Sequence, residues 1–189
     1  VLHGDKKHSG FTLIELMITI VILAVLATLA GPSMNGLTEK NRLKRAAVEI
    51  QGIFAKAKAE TVTRDIDLSV SMTDANTATG TWCVGYAAVA DCDCDEADPT
   101  DATACAVNIG GTDVSQRVLS TEFPGVTLVE TFGGGTYDGT TFDAVRGTAS
   151  AGTVTLASGN WNLSVVVSTV GRIRICTPVG ADSIGYPSC

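Results

Sequence analysis

The stretch from Phe11 to Ala30, FTLIELMITIVILAVLATLA, carries one charge, Glu15. So apolar a run must be covered by something other than water. As an α-helix rising about 1.5 Å per residue it is long enough to cross the roughly 30 Å hydrocarbon core of a bilayer, so it reads as a membrane helix. Lys6 and Lys7 precede it and Gly31-Pro32 follows. The positive-inside bias then places residues 1–10 in the cytoplasm and everything after the helix across the membrane. A secretory signal would carry a small-residue cleavage site after its apolar region. Here the glycine, Gly10, stands before it.

A carboxylate inside such a segment costs about 2.5 to 3.5 kcal/mol on insertion scales, so Glu15 is expected to be paired, protonated or snorkelled to the headgroups. The order Gly10-Phe11-Thr12-Leu13-Ile14-Glu15-Leu16 resembles the class III signal of type IV pilins and type II secretion pseudopilins. The resemblance implies that a prepilin peptidase cuts between Gly10 and Phe11 and methylates the new terminal Phe. It also implies that Glu15 pairs with the terminal amine of a neighbouring subunit and sets the assembly register.

Cleavage there would remove His3 and His8, the chain's 2 histidines. The mature chain would then have no Ser-His-Asp triad, no Cys-His pair and no zinc site with imidazole ligands. It also lacks a Gly-x-x-x-x-Gly-Lys phosphate loop and any carboxylate pair in a recognisable catalytic setting, so an enzyme is not expected and no cofactor is called for. With 13 basic against 20 acidic residues the net charge is -7, and a polyanion would need a local basic patch to bind.

Past Pro32, which removes a backbone donor and is expected to kink or interrupt the helix, apolar residues return at Leu43, Ala47, Ile50, Phe54 and Ala57 on one helical face. Lys40, Arg42, Lys44, Arg45, Lys56, Lys58 and Arg64 fall on the other side, interleaved with Glu39, Glu49 and Glu60, and read as a solvated face. After Arg64 the period changes to two. Asp65–Met72, Thr153–Leu156 and Asn162–Val165 alternate as strands, with Gly133-Gly134-Gly135 and Ala151-Gly152 as turns and Val154, Leu156, Leu163, Val165 and Val167 toward a core.

The strings Arg42–Arg64, Thr81-Trp82 to Gly85, Phe142-Asp143-Ala144-Val145-Arg146-Gly147-Thr148 and Gly171-Arg172-Ile173-Arg174 narrow the resemblance to the FimT/GspH branch of minor pilins and pseudopilins. The fold class expected is α+β and type IV pilin-like: a long N-terminal α-helix, its first half transmembrane, packed on a mostly antiparallel β head. The organisation expected is a cleaved leader over 1–10, a transmembrane or filament-core helix over 11–31, an amphipathic second half over 32–64 and a periplasmic β-rich head over 65–189. The protein would sit in the bacterial inner membrane as a single-pass protein, or in an assembled pilus or pseudopilus.

Cys83, Cys92, Cys94 and Cys105 bracket an insertion over residues 90–106, and Cys176 and Cys189 lie near the end. An even count beyond the membrane points to disulfides. Cys176 with Cys189 would staple the tail to the last strand for about 3 kcal/mol. Cys92 and Cys94 each pair with Cys83 or Cys105, in an order left open. A metal site of thiolates would lack the Cys-x-x-Cys spacing. Asp91, Asp93, Asp95, Glu96, Asp98 and Asp101 crowd the same insertion, but Glu96 and Ala102 occupy the positions where a calcium loop requires Gly and Glu.

Arg172 and Arg174, two residues apart on a strand, share a face about 7 Å apart, a spacing suited to adjacent phosphates. In FimT-like minor pilins a Gly-Arg-x-Arg motif here is associated with DNA binding, so the resemblance implies Gly171, Arg172 and Arg174 as a DNA contact. Two functions stay open at this level. One is a pilus subunit that captures double-stranded DNA. The other is a GspH-like structural pseudopilin of a type II secretion system, whose partners are other pilins or pseudopilins, the prepilin peptidase and the inner membrane.

Overall fold

Among the described residues the first element is the α-helix α1 (Leu13–Arg64). The computed structural model describes residues 10–75, 80–132 and 139–189, with only the backbone over residues 28–35. The leader with His3 and His8, and the Gly133-Gly134-Gly135 turn, lie outside the described residues. The chain divides into two units, Val1–Leu37 and Thr38–Cys189.

In the first unit Thr12 and Glu15 have the Thr-x-x-Glu spacing of a helix start, and the Glu15 N–H donates to Thr12 Oγ1 at 3.3 Å. The Glu15 carboxylate thus sits in the first turn, where it complements the positive helix end. The side chains from Phe11 to Ala27 are exposed. The helix continues through Pro32 as one element, without the interruption expected there: proline removes one donor, and the turns on either side keep theirs. A larger expectation is corrected. Among the described residues no helix is long and apolar enough to cross a membrane, which removes the transmembrane first half from the fold and the single-pass inner-membrane placement with it.

In the second unit the helix is packed on an antiparallel β structure. The strands are β1 (Leu68–Thr73), β2 (Cys83–Ala87), β3 (Ala106–Ile109), β4 (Thr112–Ser115), β5 (Arg117–Leu119), β6 (Thr127–Glu130), β7 (Gly139–Phe142), β8 (Gly152–Ser158), β9 (Trp161–Val167) and β10 (Ile173–Cys176). They form two four-stranded sheets, ordered β5-β2-β1-β7 and β10-β9-β8-β6, and a hairpin β3-β4. The core joins Leu43, Ile50 and Phe54 of α1 to Leu68, Val70 and Val84 of one sheet and Leu128, Leu156, Leu163 and Val165 of the other. Val154 and Val167 are buried with them, as their alternation in sequence requires.

The basic side of α1 is not simply solvated. Lys58 Nζ donates to Gly171 O at 2.7 Å, Arg64 Nη1 to Asn108 O at 2.6 Å, and Arg42 Nη1 to Pro124 O. Lys40 Nζ lies 4.9 Å from the centroid of the Trp161 ring. Each cation satisfies a backbone carbonyl or an aromatic face, so the helix from Lys40 to Arg64 is pinned as well as packed. At the far end of the chain, Thr177 donates its N–H to Pro187 O at 2.7 Å and accepts from the Cys189 N–H at 2.9 Å. The tail therefore lies alongside the continuation of β10.

Near the end of α1, the Tyr86 hydroxyl donates to Glu60 Oε1 at 2.9 Å, and Arg64 Nε pairs with Glu60 Oε2 at 3.2 Å. Burial, reinforced by the hydrogen bond to Glu60, raises the Tyr86 phenol above its ordinary value of 10.0. The folded state then releases this proton later than the unfolded chain does, so the contribution to stability is full below about pH 10 and is lost as pH rises further. Tyr86→Phe should cost about 1 kcal/mol at neutral pH and flatten the alkaline decline, as read by denaturant unfolding across that pH range. An unchanged alkaline decline in the variant would assign the loss to other groups.

Candidate functional site

Three groups of residues carry the functional expectations: the helix start, the β9–β10 turn and the cystine-bound insertion. At the helix start Gly10 precedes the first helical turn and Phe11 is 80% exposed, so the bond between them is accessible. Glu15 is exposed on the first turn of α1.

The β9–β10 turn places Gly171 at φ +68°, a left-handed conformation that glycine adopts without steric cost. Space at this position is closed as well. A Cβ built there would stand 2.4 Å from Gly147 O and 3.0 Å from Lys58 Nζ. The glycine of the motif is thus required by the packing of the turn between α1 and the β7–β8 loop. That loop is held by its own bonds: Arg146 N–H to Asp143 Oδ1 at 2.6 Å, and Ala144 N–H to Asp67 Oδ1 at 2.8 Å. Two motifs far apart in sequence, Phe142–Thr148 and Gly171–Arg174, are therefore one structural unit.

Arg172 and Arg174 are both exposed, on the edge strand β10 and just before it. Arg174 Nη2 donates to Cys189 O at 3.4 Å. Arg117 faces elsewhere, its guanidinium holding Cys94 O at 2.9 Å and Glu96 O at 2.6 Å. An open groove of about 830 Å³ lies beside the turn, lined by Val48, Ala55, Ala59 and Val62 of α1 and by Arg172 and Ile173.

The cysteines are joined as Cys83–Cys94, Cys92–Cys105 and Cys176–Cys189. The first two fold the insertion back over β1 and β2. The Cys92 N–H donates to Ser71 Oγ at 3.1 Å, and a Cβ on Gly85 would meet Cys105 Cβ at 2.6 Å. The small residues of β1 and β2 on this side are needed because the cystines lie directly on them. Within the insertion Asp98 accepts from the Thr100 hydroxyl at 2.7 Å and Asp101 from the Thr103 N–H at 2.8 Å. These bonds hold both carboxyls below their ordinary 3.8, so they stay ionised. Among the described residues no group of three or more His, Cys, Asp or Glu side chains is placed to hold a metal ion.

Sequence reasoning missed the tether from Lys58 to the turn, the Arg117 clamp and the Thr12 cap. Only the last had a signal, the Thr-x-x-Glu spacing.

The first residues of the chain match the prokaryotic N-terminal methylation motif over residues 5–31. Among curated proteins, the type II secretion system core protein G of Aeromonas hydrophila is 44% identical over 45 residues, which is 24% of this chain and 32% of that protein. A fimbrial protein of Pseudomonas aeruginosa is 37% identical over 54 residues, 29% of this chain and 35% of that one. These matches span about a third of the length of those relatives. Among solved structures, the type IV minor pilin FimU of Pseudomonas aeruginosa is similar with TM-score 0.45 and 18% identity, covering 74% of this chain and 91% of that one. The minor pseudopilin EpsH from the type 2 secretion system of Vibrio cholerae is similar with TM-score 0.48 and 11% identity, covering 72% and 97%. Over residues 46–171, from the packed half of α1 to the glycine of the β9–β10 turn, the sequence matches the family described as type II transport protein GspH, and the chain belongs to that family.

Proposed function

We propose that this protein is a structural, non-catalytic minor pilin or pseudopilin subunit of a type II secretion or type IV pilus-like filament, with the secretion system the better supported of the two. The observation that carries this is the GspH family match across the head, joined to the methylation motif at the helix start. The relatives named for type II secretion add to it. In this reading a prepilin peptidase cuts after Gly10, Phe11 becomes the terminal residue, and Glu15 pairs with the terminal amine of a neighbouring subunit. The exposed apolar side chains from Phe11 to Leu26 and the groove beside α1 are the surfaces other pilins or pseudopilins would cover.

A DNA receptor role through Gly171, Arg172 and Arg174 finds no comparable support. Gly171 is accounted for by packing, and Arg117 by the insertion it clamps.

Two outcomes are expected. In cells carrying the secretion machinery, Glu15→Ala should reduce recovery of the protein with its partner pseudopilins at least about tenfold, measured by cross-linking. Arg172→Ala/Arg174→Ala should leave both recovery and secretion unchanged. Normal incorporation of the Glu15 variant would remove its register role, and loss of DNA uptake with secretion intact in the arginine variant would favour the DNA reading. Separately, Gly171→Ala should destabilise the head by about 1 to 3 kcal/mol, whereas Gly110→Ala, also at positive φ but facing open space, should cost about 1 kcal/mol. Equal costs in denaturant unfolding would mean that the contact with Gly147 is unimportant.

A further inference from the structure

Gly52 stands in the interior of α1, where glycine lowers helix stability relative to alanine, yet nothing in its own chain requires it. A Cβ built there would meet no atom within 4 Å. The residue lies on the floor of the open groove of about 830 Å³, whose far wall is Ile173 at the start of β10. Along that floor run Val48, Gly52, Ala55, Ala59 and Val62, at intervals of four, three, four and three residues. A mean interval of about 3.5 is the spacing of a seam that receives a second helix along its length. Val48 and Val62 are 48% and 60% exposed, so the seam is bare in this chain. The small residues between them leave room for another backbone to approach closely, which accounts for the glycine. From Val48 to Val62 the seam rises about 21 Å, four turns of helix.

The rims of the groove are cationic. Lys44 and Arg45 line its continuation past Val48, a hollow of about 180 Å³, and Lys56 follows Arg45 by about three turns on the same flank. Lys58, on the opposite flank, is bonded to Gly171 O. Among the described residues Glu49 is the one acid lining either hollow. An occupant that complements this face is apolar along one stripe and acidic beside it. A second copy does not answer that description. Its α1 offers seven basic against two acidic residues from Lys40 to Arg64, which would repel, and its apolar first half carries Glu15 as its one charge.

We propose that the groove receives an α-helix of a different subunit of the same filament, apolar at 3.5-residue spacing and flanked by Asp or Glu. The inference rests on the reading of the chain as a filament subunit and adds the kind of segment that covers this face. It suits a minor subunit, because the contact joins unlike chains and does not propagate. Arg172 also borders the groove, but Lys44, Arg45 and Lys56 set its sign without it, in keeping with the dispensability expected of the arginine pair.

The test is photo-cross-linking of the full chain in cells that carry the secretion machinery. A photoreactive phenylalanine analogue is placed at Gln51, on the rim of the groove, and the captured peptide is sequenced by mass spectrometry. The expected capture is a helix-forming segment of another pseudopilin, with acidic residues beside an apolar stripe. Gly52→Leu fills the floor from open space, so it should keep or raise the thermal midpoint while lowering capture about tenfold or more. Lys44→Glu/Arg45→Glu/Lys56→Glu should lower capture by a similar factor, and exchanging the acids of the captured segment for Lys should restore it. A second analogue at Ile22, on the exposed apolar stretch, separates this inference from the reading beneath it. Pseudopilins captured from Ile22 but none from Gln51 would leave the filament reading standing and overturn the groove's occupant, whereas capture from neither position would overturn both. Capture from Gln51 of a second copy, of a segment without acids or of a lipid would overturn the proposal, and so would capture indifferent to Gly52→Leu and to the charge reversals.

Discussion

The burial of one stripe of α1, from Leu43 through Ala47, Ile50 and Phe54 to Ala57, is the contact on which the head depends. The stripe meets both sheets at once, so removing it would open two interfaces rather than one. With aromatics only 5% of the chain, this core is built from aliphatic side chains whose individual contributions are about 1.5 to 3 kcal/mol each. The cations on the flanks of the stripe then fix its rotation and height. Lys58 does so through the carbonyl of Gly171 in the β9–β10 turn and Arg64 through that of Asn108 on β3, which couples the position of the helix to that turn and to the β3–β4 hairpin.

That coupling changes how the Gly-Arg-Ile-Arg segment is understood. Viewed as a string it suggests two arginines offered to a ligand, with a glycine to make the bend. In three dimensions the glycine is where a helix cation, a loop carbonyl and a hairpin turn converge. A family motif can persist for such packing reasons while the arginines that follow are put to different uses, or to none, in different members.

Much of this was legible in the sequence. The helical stripe and the alternation of Val154, Leu156, Leu163, Val165 and Val167 are local periodicities, and burial followed them. The pairing of Cys176 with Cys189 was anticipated because only one partner was near. The order among Cys83, Cys92, Cys94 and Cys105 depends on how the insertion folds over β1 and β2, which no local rule encodes. Ser69 and Ser71 alternate with apolar neighbours in sequence, yet both are buried, Ser71 accepting the Cys92 N–H of the insertion and Ser69 bonded to the Thr141 hydroxyl. The apolar run after Gly10 was misread in another way. Composition set its length, yet among the described residues no helix is long and apolar enough to cross a membrane.

The way the tail is fastened has a mechanical consequence. Residues alongside Thr177 run parallel to it, and the Cys176–Cys189 bond closes the loop within one residue of that contact. Tension applied at Cys189 would pass through the sulfur bridge into β10, bypassing the 13-residue separation between the two cysteines, so the hydrogen bonds at Thr177, which lie within the closed loop, would be shielded from the load. The insertion is protected in the same manner, since its two cystines withhold the chain between Cys83 and Cys105 from extension. Under a pull the head would therefore lengthen by less than the same chain without bridges, the spans 83–105 and 176–189 being held back.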